Sequence, residues 1–472
     1  MATISSLGIG SGLDLNTLLD NLTAAEKGAL TPITTQQTAY TAKLTAYGTL
    51  KSALSAFQTA NTALASADIY KSSNAVSSAS SSFTATSATG AAAGKYTIAV
   101  SQIAQAQSLT SAKVTGNTSN IGTAGATNRT LTITQPGSTK PISISLTDSQ
   151  TTLSGVRDAI NNADAGVSAS IIKVDSTNYQ LILTSDTTGT DGAMSISVSG
   201  DDALQSFIGY DATQSTNGLK QTVVAQNAKL SINGIDIERS SNSISDVPEG
   251  VTLQLLDTTT GNQSLTVSDD NSKATAAINS WVSAYNALQT TFSSLTTYTA
   301  VDAGADQSST NGALLGDSTL RSIQTQIKAQ LSNAASSSTF KSLSQIGVTQ
   351  DPTTGQLTTD SDKLSKALAS DSKGVMEMIV GDGKTNGIAT SIGNSLTSYL
   401  STTGILTAAT TGVNNTLKDL TEQYNKTNDR ITTTIAMYKT KFTQLDVMMN
   451  SLNSTSSYLT QQFESMNQSS KS

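Results

Sequence analysis

The chain has 472 residues, enough for about three domains with sizeable cores, yet only 13% are charged against about a quarter in a typical globular chain. A formal charge of -7 with no basic cluster excludes the electrostatic footprint of a nucleic-acid or anionic-lipid binder, and no apolar run is long enough to span a bilayer. Cysteine and histidine are both absent, which removes disulfides, thiolate metal sites, the Ser-His-Asp triad and the commonest metal ligand and general base together.

The chain opens "SSLGIGSGLDLNTLLDNLTAAEKG". Its glycines Gly8, Gly10 and Gly12 have no strand ahead of them and no Lys-Ser/Thr ending, so they do not form a phosphate cradle. They read as a flexible leader into a helix capped by Asp14, with Leu15, Leu18, Leu22 and Ala25 at helical spacing and Gly28 as its stop. A second helix follows, with Thr31 as N-cap and Pro32 in the first position. Two seven-residue series run along it: Ile33, Tyr40, Tyr47, Leu54, Asn61 and Gln36, Lys43, Leu50, Phe57, Leu64. From Pro32 to Leu64 this is a rod of roughly 50 Å.

The period then changes to two. "RTLTITQPGSTKPISISLTD" predicts paired strands around Leu131/Ile133 and Ile142/Ile144/Leu146. A short helix with Leu153, Val156, Ile160 and Ala163 on one face follows, then strands around "SASIIKV" and "YQLILTS". Asn233-Gly234 predicts a type I′ hairpin in which Ile232 opposes Ile235 and Leu230 opposes Ile237, all four on one face. Val251, Leu253 and Leu255 supply another alternating strand. After Asp270 helices return, one with Ile278, Val282, Tyr285 and Leu288 beside Trp281, another with Leu320, Ile323, Ile327 and Leu331.

The last stretch carries the longest repeat. Ile431, Ile435, Tyr438, Phe442, Leu445, Met449, Leu452, Ser456, Leu459, Phe463 and Met466 alternate at a and d spacing for about five heptads with one break, which predicts a coiled coil. Such a helix needs a partner, because propensity alone rarely sustains it in water. The fold class is therefore α+β and multidomain, with terminal coiled-coil helices and a helical layer flanking inserted antiparallel β-rich head domains.

No catalytic constellation can be assembled. Asp201-Asp202 and Asp269-Asp270 stand beside turn residues, and "DTTGTDG" and "GDGKTNG" lack the spaced ligands of a calcium loop. Ser-x-x-Lys occurs at Ser170/Lys173, Ser338/Lys341 and Ser370/Lys373, without the Ser-Asp-Asn and Lys-Thr-Gly elements that the corresponding hydrolases need. The reading is a protein that is not an enzyme and has neither cofactor nor metal.

Six stretches in order, "SSLGIGSGLDLNTLLDNLTAAE", "AGKYTIAVSQIAQAQSL", "INGIDIERSSNSISDVPEGVTLQLL", "WVSAYNAL", "GALLGDSTLRSI" and "LSQIGVTQDPTTGQLTTDSDKLSKAL", resemble the bacterial flagellar filament cap family, also called hook-associated protein two. The resemblance implies a coiled-coil leg from 1–42 and 425–472, a helical domain from 43–71 and 271–424, an inner β head from 72–104 and 218–270, and an outer α+β head from 105–217. It implies a homo-oligomeric cap, a pentamer or similar ring, at the distal filament tip, where it promotes flagellin insertion and prevents loss of exported monomers. The implied partners are further copies of the chain, flagellin, hook-filament junction proteins and an export chaperone at the C-terminal segment. The implied location is extracellular, after secretion without a cleaved signal, in keeping with the missing charged-then-apolar leader. The alternatives are a junction protein, a flagellin, or a surface adhesin for host glycans, and an added adhesive role is compatible with the cap.

Overall fold

The computed structural model describes residues 7–9, 11–334 and 337–469. Gly10 and the segments 1–6 and 470–472, parts of the opening glycine pattern and of the expected leg, lie outside the described residues. The chain divides into two compact units, one from Met1–Ser66 with Ala274–Ser472 and the other from Ala67–Lys273. The β-rich middle is thus inserted in sequence between helical ends. Helices in chain order are α1 (Leu15–Lys27), α2 (Thr31–Leu64), α3 (Leu153–Asn162), α4 (Asp202–Ile208), α5 (Ser272–Leu295), α6 (Ser318–Gln330), α7 (Ser361–Ile379), α8 (Ile388–Leu400) and α9 (Ile405–Ser469). Both α2 and α9 run unbroken across the expected leg boundaries at 42/43 and 424/425.

Three local expectations at the chain start change. Gly8 and Gly12 have φ of 98° and 72°, and Gly12 N–H donates to the Gly8 carbonyl at 2.9 Å. A Cβ on Gly8 would lie 2.0 Å from the Leu13 carbonyl oxygen, so this turn demands glycine. Leu7 and Ser11 are buried, and the stretch is a built turn where the sequence predicted a flexible leader. Asp14 caps α1, accepting from Thr17 N–H at 3.1 Å. Gly28, however, stays right-handed at φ -54°, and Gly28–Leu30 carries the chain as a 3-10 turn into α2. Thr31 is then already helical; its N–H has the Gly28 carbonyl as acceptor, and its side chain caps nothing.

In the helical unit α2 packs along α8 and α9. Phe57, Trp281 and Tyr285 stack together with ring centroids 5.9–6.0 Å apart, all fully buried. Asn61, buried at their edge, accepts from Trp281 Nε1 at 3.0 Å and donates to the Ala389 carbonyl at 2.7 Å, so α2, α5 and α8 are tied at one point.

The inserted unit has two cores. In the inner one, a five-stranded sheet (Ser73–Ser77, Gln263–Asp269, Gly94–Gln102, Ala228–Ile232, Ile235–Arg239, in that order) shares a buried cluster with a three-stranded sheet (Ser243–Ile244, Val251–Leu255, Phe83–Ser87). The hairpin has the expected register, Ile232 opposite Ile235 and Leu230 opposite Ile237, with Asn233 and Gly234 at φ 53° and 81°. The four side chains share one face, as expected from the opposed pairs, but not one burial: Leu230 and Ile232 are buried and Ile237 packs partly against the core, whereas Ile235, next to the turn on the edge strand, is 68% exposed.

The outer core joins α3 and α4 to strands Arg129–Thr134, Ile142–Leu146, Val167–Lys173, Asn178–Thr188 and Ser195–Ser199, all paired antiparallel. Leu219 belongs to this core and strand Lys220–Val223 to its sheet, so the outer module continues past residue 217. Its charged centre is Arg129, buried, whose guanidinium meets Asp201 at 2.7 Å and also bonds Asp148 and the Thr123 carbonyl. Asp201 in turn accepts from Thr123 N–H at 2.9 Å and caps α4 through Leu204 N–H at 3.1 Å. Burial pushes the Asp201 carboxyl up, but these donors outweigh it and hold it at about 2, below its ordinary 3.8. A depressed carboxylate stabilises the fold above its unfolded value, and that contribution is lost as pH falls through about 4 towards 2. Thermal melts at about pH 5 and about pH 2.5 will therefore show acid destabilisation, and the difference will shrink in Asp201→Asn. An unchanged difference would remove Asp201 as a source of the pH slope.

Candidate assembly interface

The terminal helices position the residues singled out by sequence. α1 lies against the far part of α9, and Ser11 N–H donates to Asp446 at 2.7 Å, which fixes their register. On α1, Leu15 is buried and Leu22 half-buried, whereas Leu18 is 45% exposed. Within the chain the inward line is Leu15, Leu19 and Leu22, and Leu19 is a position that the sequence reading did not name. On α2, Tyr40 is half-buried, while Tyr47, Leu54 and Phe57 are buried within the helical unit itself.

Tyr47 was chosen for its spacing, but its chemistry is a polar junction. Its hydroxyl donates to Asp317 at 2.7 Å, Lys43 pairs with the same carboxylate at 2.8 Å, and Asp317 caps α6 through Leu320 N–H. Burial, with the Asp317 carboxylate next to it, raises the Tyr47 phenol well above its usual range. Asp317 closes the "GALLGD" stretch just before α6, and the only sequence signal for it was its N-cap position.

Along α9 burial declines steadily. Ile431 is buried, Ile435, Tyr438, Phe442 and Met449 are half-buried, and Leu445 is already 38% exposed. The rings of Tyr438 and Phe442 stack at 6.4 Å. Leu452, Leu459 and Phe463 are 56%, 48% and 63% exposed, and every side chain from 450 to 467 faces solvent. This overhang is about 27 Å of helix with an apolar a/d line and nothing covering it among the described residues. Leu406, Val413 and Leu420, buried at seven-residue spacing upstream, were missed. Their step of eleven to Ile431 equals one heptad plus four, a stutter that hid the continuity.

The remaining sequence candidates fall away from any site. Ser170 stands exposed on a strand, with the Lys173 ammonium 5.7 Å from the Tyr179 ring. Ser338 donates to the Gly374 carbonyl, Ser370 to that of Ala367, and Lys373 pairs with Glu377. Among the described residues no cluster of acidic side chains could hold a metal, and no helix is long and apolar enough to cross a membrane.

Long terminal helices around an inserted antiparallel β region, with an uncovered apolar line and no catalytic cluster among the described residues, define the architecture of a structural protein. Sequence comparison says which. The models for the N-terminus and C-terminus of flagellar hook-associated protein 2 match residues 11–107 and 225–454, and the flagellin hook IN motif matches 130–187. The chain is 61% identical over 466 residues to the flagellar hook-associated protein 2 of Escherichia coli K12, covering 98% of this chain and 99% of that one. It is 52% identical to that of Salmonella typhimurium, covering 99% of this chain and all of the relative. The crystal structure of the flagellar cap protein FliD D1-D2-D3 domains from Escherichia coli superposes with a TM-score of 0.70 at 57% identity, covering 78% of this chain and 99% of that one. The chain belongs to the flagellar hook-associated protein 2 family, and these findings support that reading over the junction-protein, flagellin and adhesin alternatives.

Proposed function

We propose that this chain caps the distal end of the flagellar filament as a homo-oligomer, holding exported flagellin at the tip and guiding its insertion. The observation that carries the assembly mechanism is the uncovered a/d line at 450–467, which supplies apolar surface that a lone chain leaves in water. In this reading 1–42 with 425–472 is the leg that docks onto the filament end. Residues 43–71 with 271–424 form the helical domain, 72–104 with 224–270 the inner head, and 105–223 the outer head, which takes in Leu219 and strand Lys220–Val223. Leu15, Leu22, Ile435, Tyr438, Phe442 and Met449 hold the leg's own helices together, and Leu445, Leu452, Leu459 and Phe463 meet the partner. The leg also offers a chaperone its apolar C-terminal segment before export, and the work is positional, with no bond made or broken. Immunogold labelling of filaments, with antibody against the inserted unit, tests the reading. Label confined to the free ends is expected; label along the shaft or only on the cell body would overturn it.

A further inference from the structure

Two sheet edges in this protein are closed by asparagine side chains in place of a strand. Strand Val167–Lys173 pairs with Asn178–Thr188, and among the described residues no strand pairs with its other side. The antiparallel ladder turns the N–H and C=O of alternate residues outward, and Ala169 is one of these. Asn161, at the end of α3, meets both groups: its Oδ1 accepts from Ala169 N–H at 2.7 Å, and its Nδ2 donates to the Ala169 carbonyl at 2.9 Å. In the helical unit the same device recurs. Among the described residues strand Leu357–Thr359 pairs only with Val348–Gln350, and Asn286 of α5 accepts from Leu357 N–H at 2.7 Å and donates to its carbonyl at 2.8 Å.

A side-chain amide presents a donor and an acceptor as one peptide unit does, so it fills one residue of a ladder but carries no strand backbone along which the ladder could continue. The edge at Val167–Lys173 needs such a stop. It has Ile172 exposed, with exposed Val174 just after it, and a single charged residue, Lys173, and two copies of one edge can pair with each other antiparallel. We infer that Asn161 and Asn286 act as strand substitutes that keep a second copy of this chain from adding a strand at these two edges. Self-association is thereby left to the helices. The inference stands on the two ladders alone and does not depend on the filament.

The test uses the full chain and two single variants, Asn161→Ala and Asn286→Ala. Hydrogen exchange at the Ala169 and Leu357 amides, respectively, should quicken by about tenfold, the factor that goes with one lost hydrogen bond. Far-UV circular dichroism should stay unchanged. Concentrated Asn161→Ala should gain light scattering and thioflavin T fluorescence, which helical oligomers do not produce. Adding Ile172→Lys, a charge on the opened edge, should return both signals to the parent level. That rescue separates edge pairing from simple loss of stability, which an exposed lysine does not repair. The inference is overturned if Asn161→Ala exchanges faster yet scatters like the parent, if Ile172→Lys fails to rescue it, or if both single variants merely unfold.

Discussion

Phe57→Ala will lower the melting temperature of the full chain by roughly 5–20 °C, the shift expected when about 3–5 kcal/mol is lost from a unit of this size. The ring is fully buried against the stacked pair Trp281 and Tyr285, where α2 meets α5 from more than two hundred residues away and Asn61 ties α8 to the same point, so the helices are held from closing over the space. Asn61→Leu should act at the same place by another route. It strands the Trp281 N–H, a buried group whose unmet hydrogen bond costs about 1–3 kcal/mol, and removes the donor that Asn61 lends the Ala389 carbonyl. Differential scanning calorimetry reads both. A melting point within a degree or so of the parent for Phe57→Ala would mean that its seven-residue spacing serves contacts between chains and not this core.

Leu459→Asp with Phe463→Asp will have the opposite profile. Both side chains are exposed, so monomer stability should stay within about 0.5 kcal/mol of the parent, the usual range for surface substitutions. Assembly should fail, because a partner packed on this line would have to bury two unpaired carboxylates. In a strain lacking its own cap protein, the variant should give no swimming above background and release flagellin into the medium. Full swimming would show that the overhang does not dock, and loss of the folded chain as well would show that these residues belong to the monomer core. Taken with Phe57→Ala, the pair divides the heptad residues into those used inside the chain and those held for a partner.

That division was only half legible from spacing. The a/d series located the helices, and Ile431, Leu54 and Phe57 all fall on buried positions, but spacing was silent on how far along α9 the burial would last. Burial ends where α1 begins: the opening turn and Ser11 reach Asp446, and beyond that level α9 has no neighbour among the described residues. That α1 turns Leu19 inward within the chain and leaves Leu18 exposed has a similar source. Both lie within a helical face centred near Leu15 and Leu22, and only the angle at which α1 meets α9 selects between them.

The elements themselves were determined locally. Positive-φ demands at Asn233-Gly234, period-two alternation beside them, the Asp14 cap and the heptads of α2 and α9 are properties of neighbouring residues, and each appears where the sequence put it. The absence of histidine and cysteine likewise restricted the chemistry before any coordinate was known. The tertiary structure alone decided what each element faces. Asn61 reads as a flaw in a heptad until Trp281 and Ala389 arrive from more than two hundred residues away, and Asn161 reads as helix-end polarity until the edge of a strand is laid beside it. Arg129 and Asp201 are ordinary charges in sequence, yet together they form the buried ionic centre of the outer module. A polar side chain's role depends on the partner that replaces its water, and that partner is set by long-range packing which no local spacing encodes.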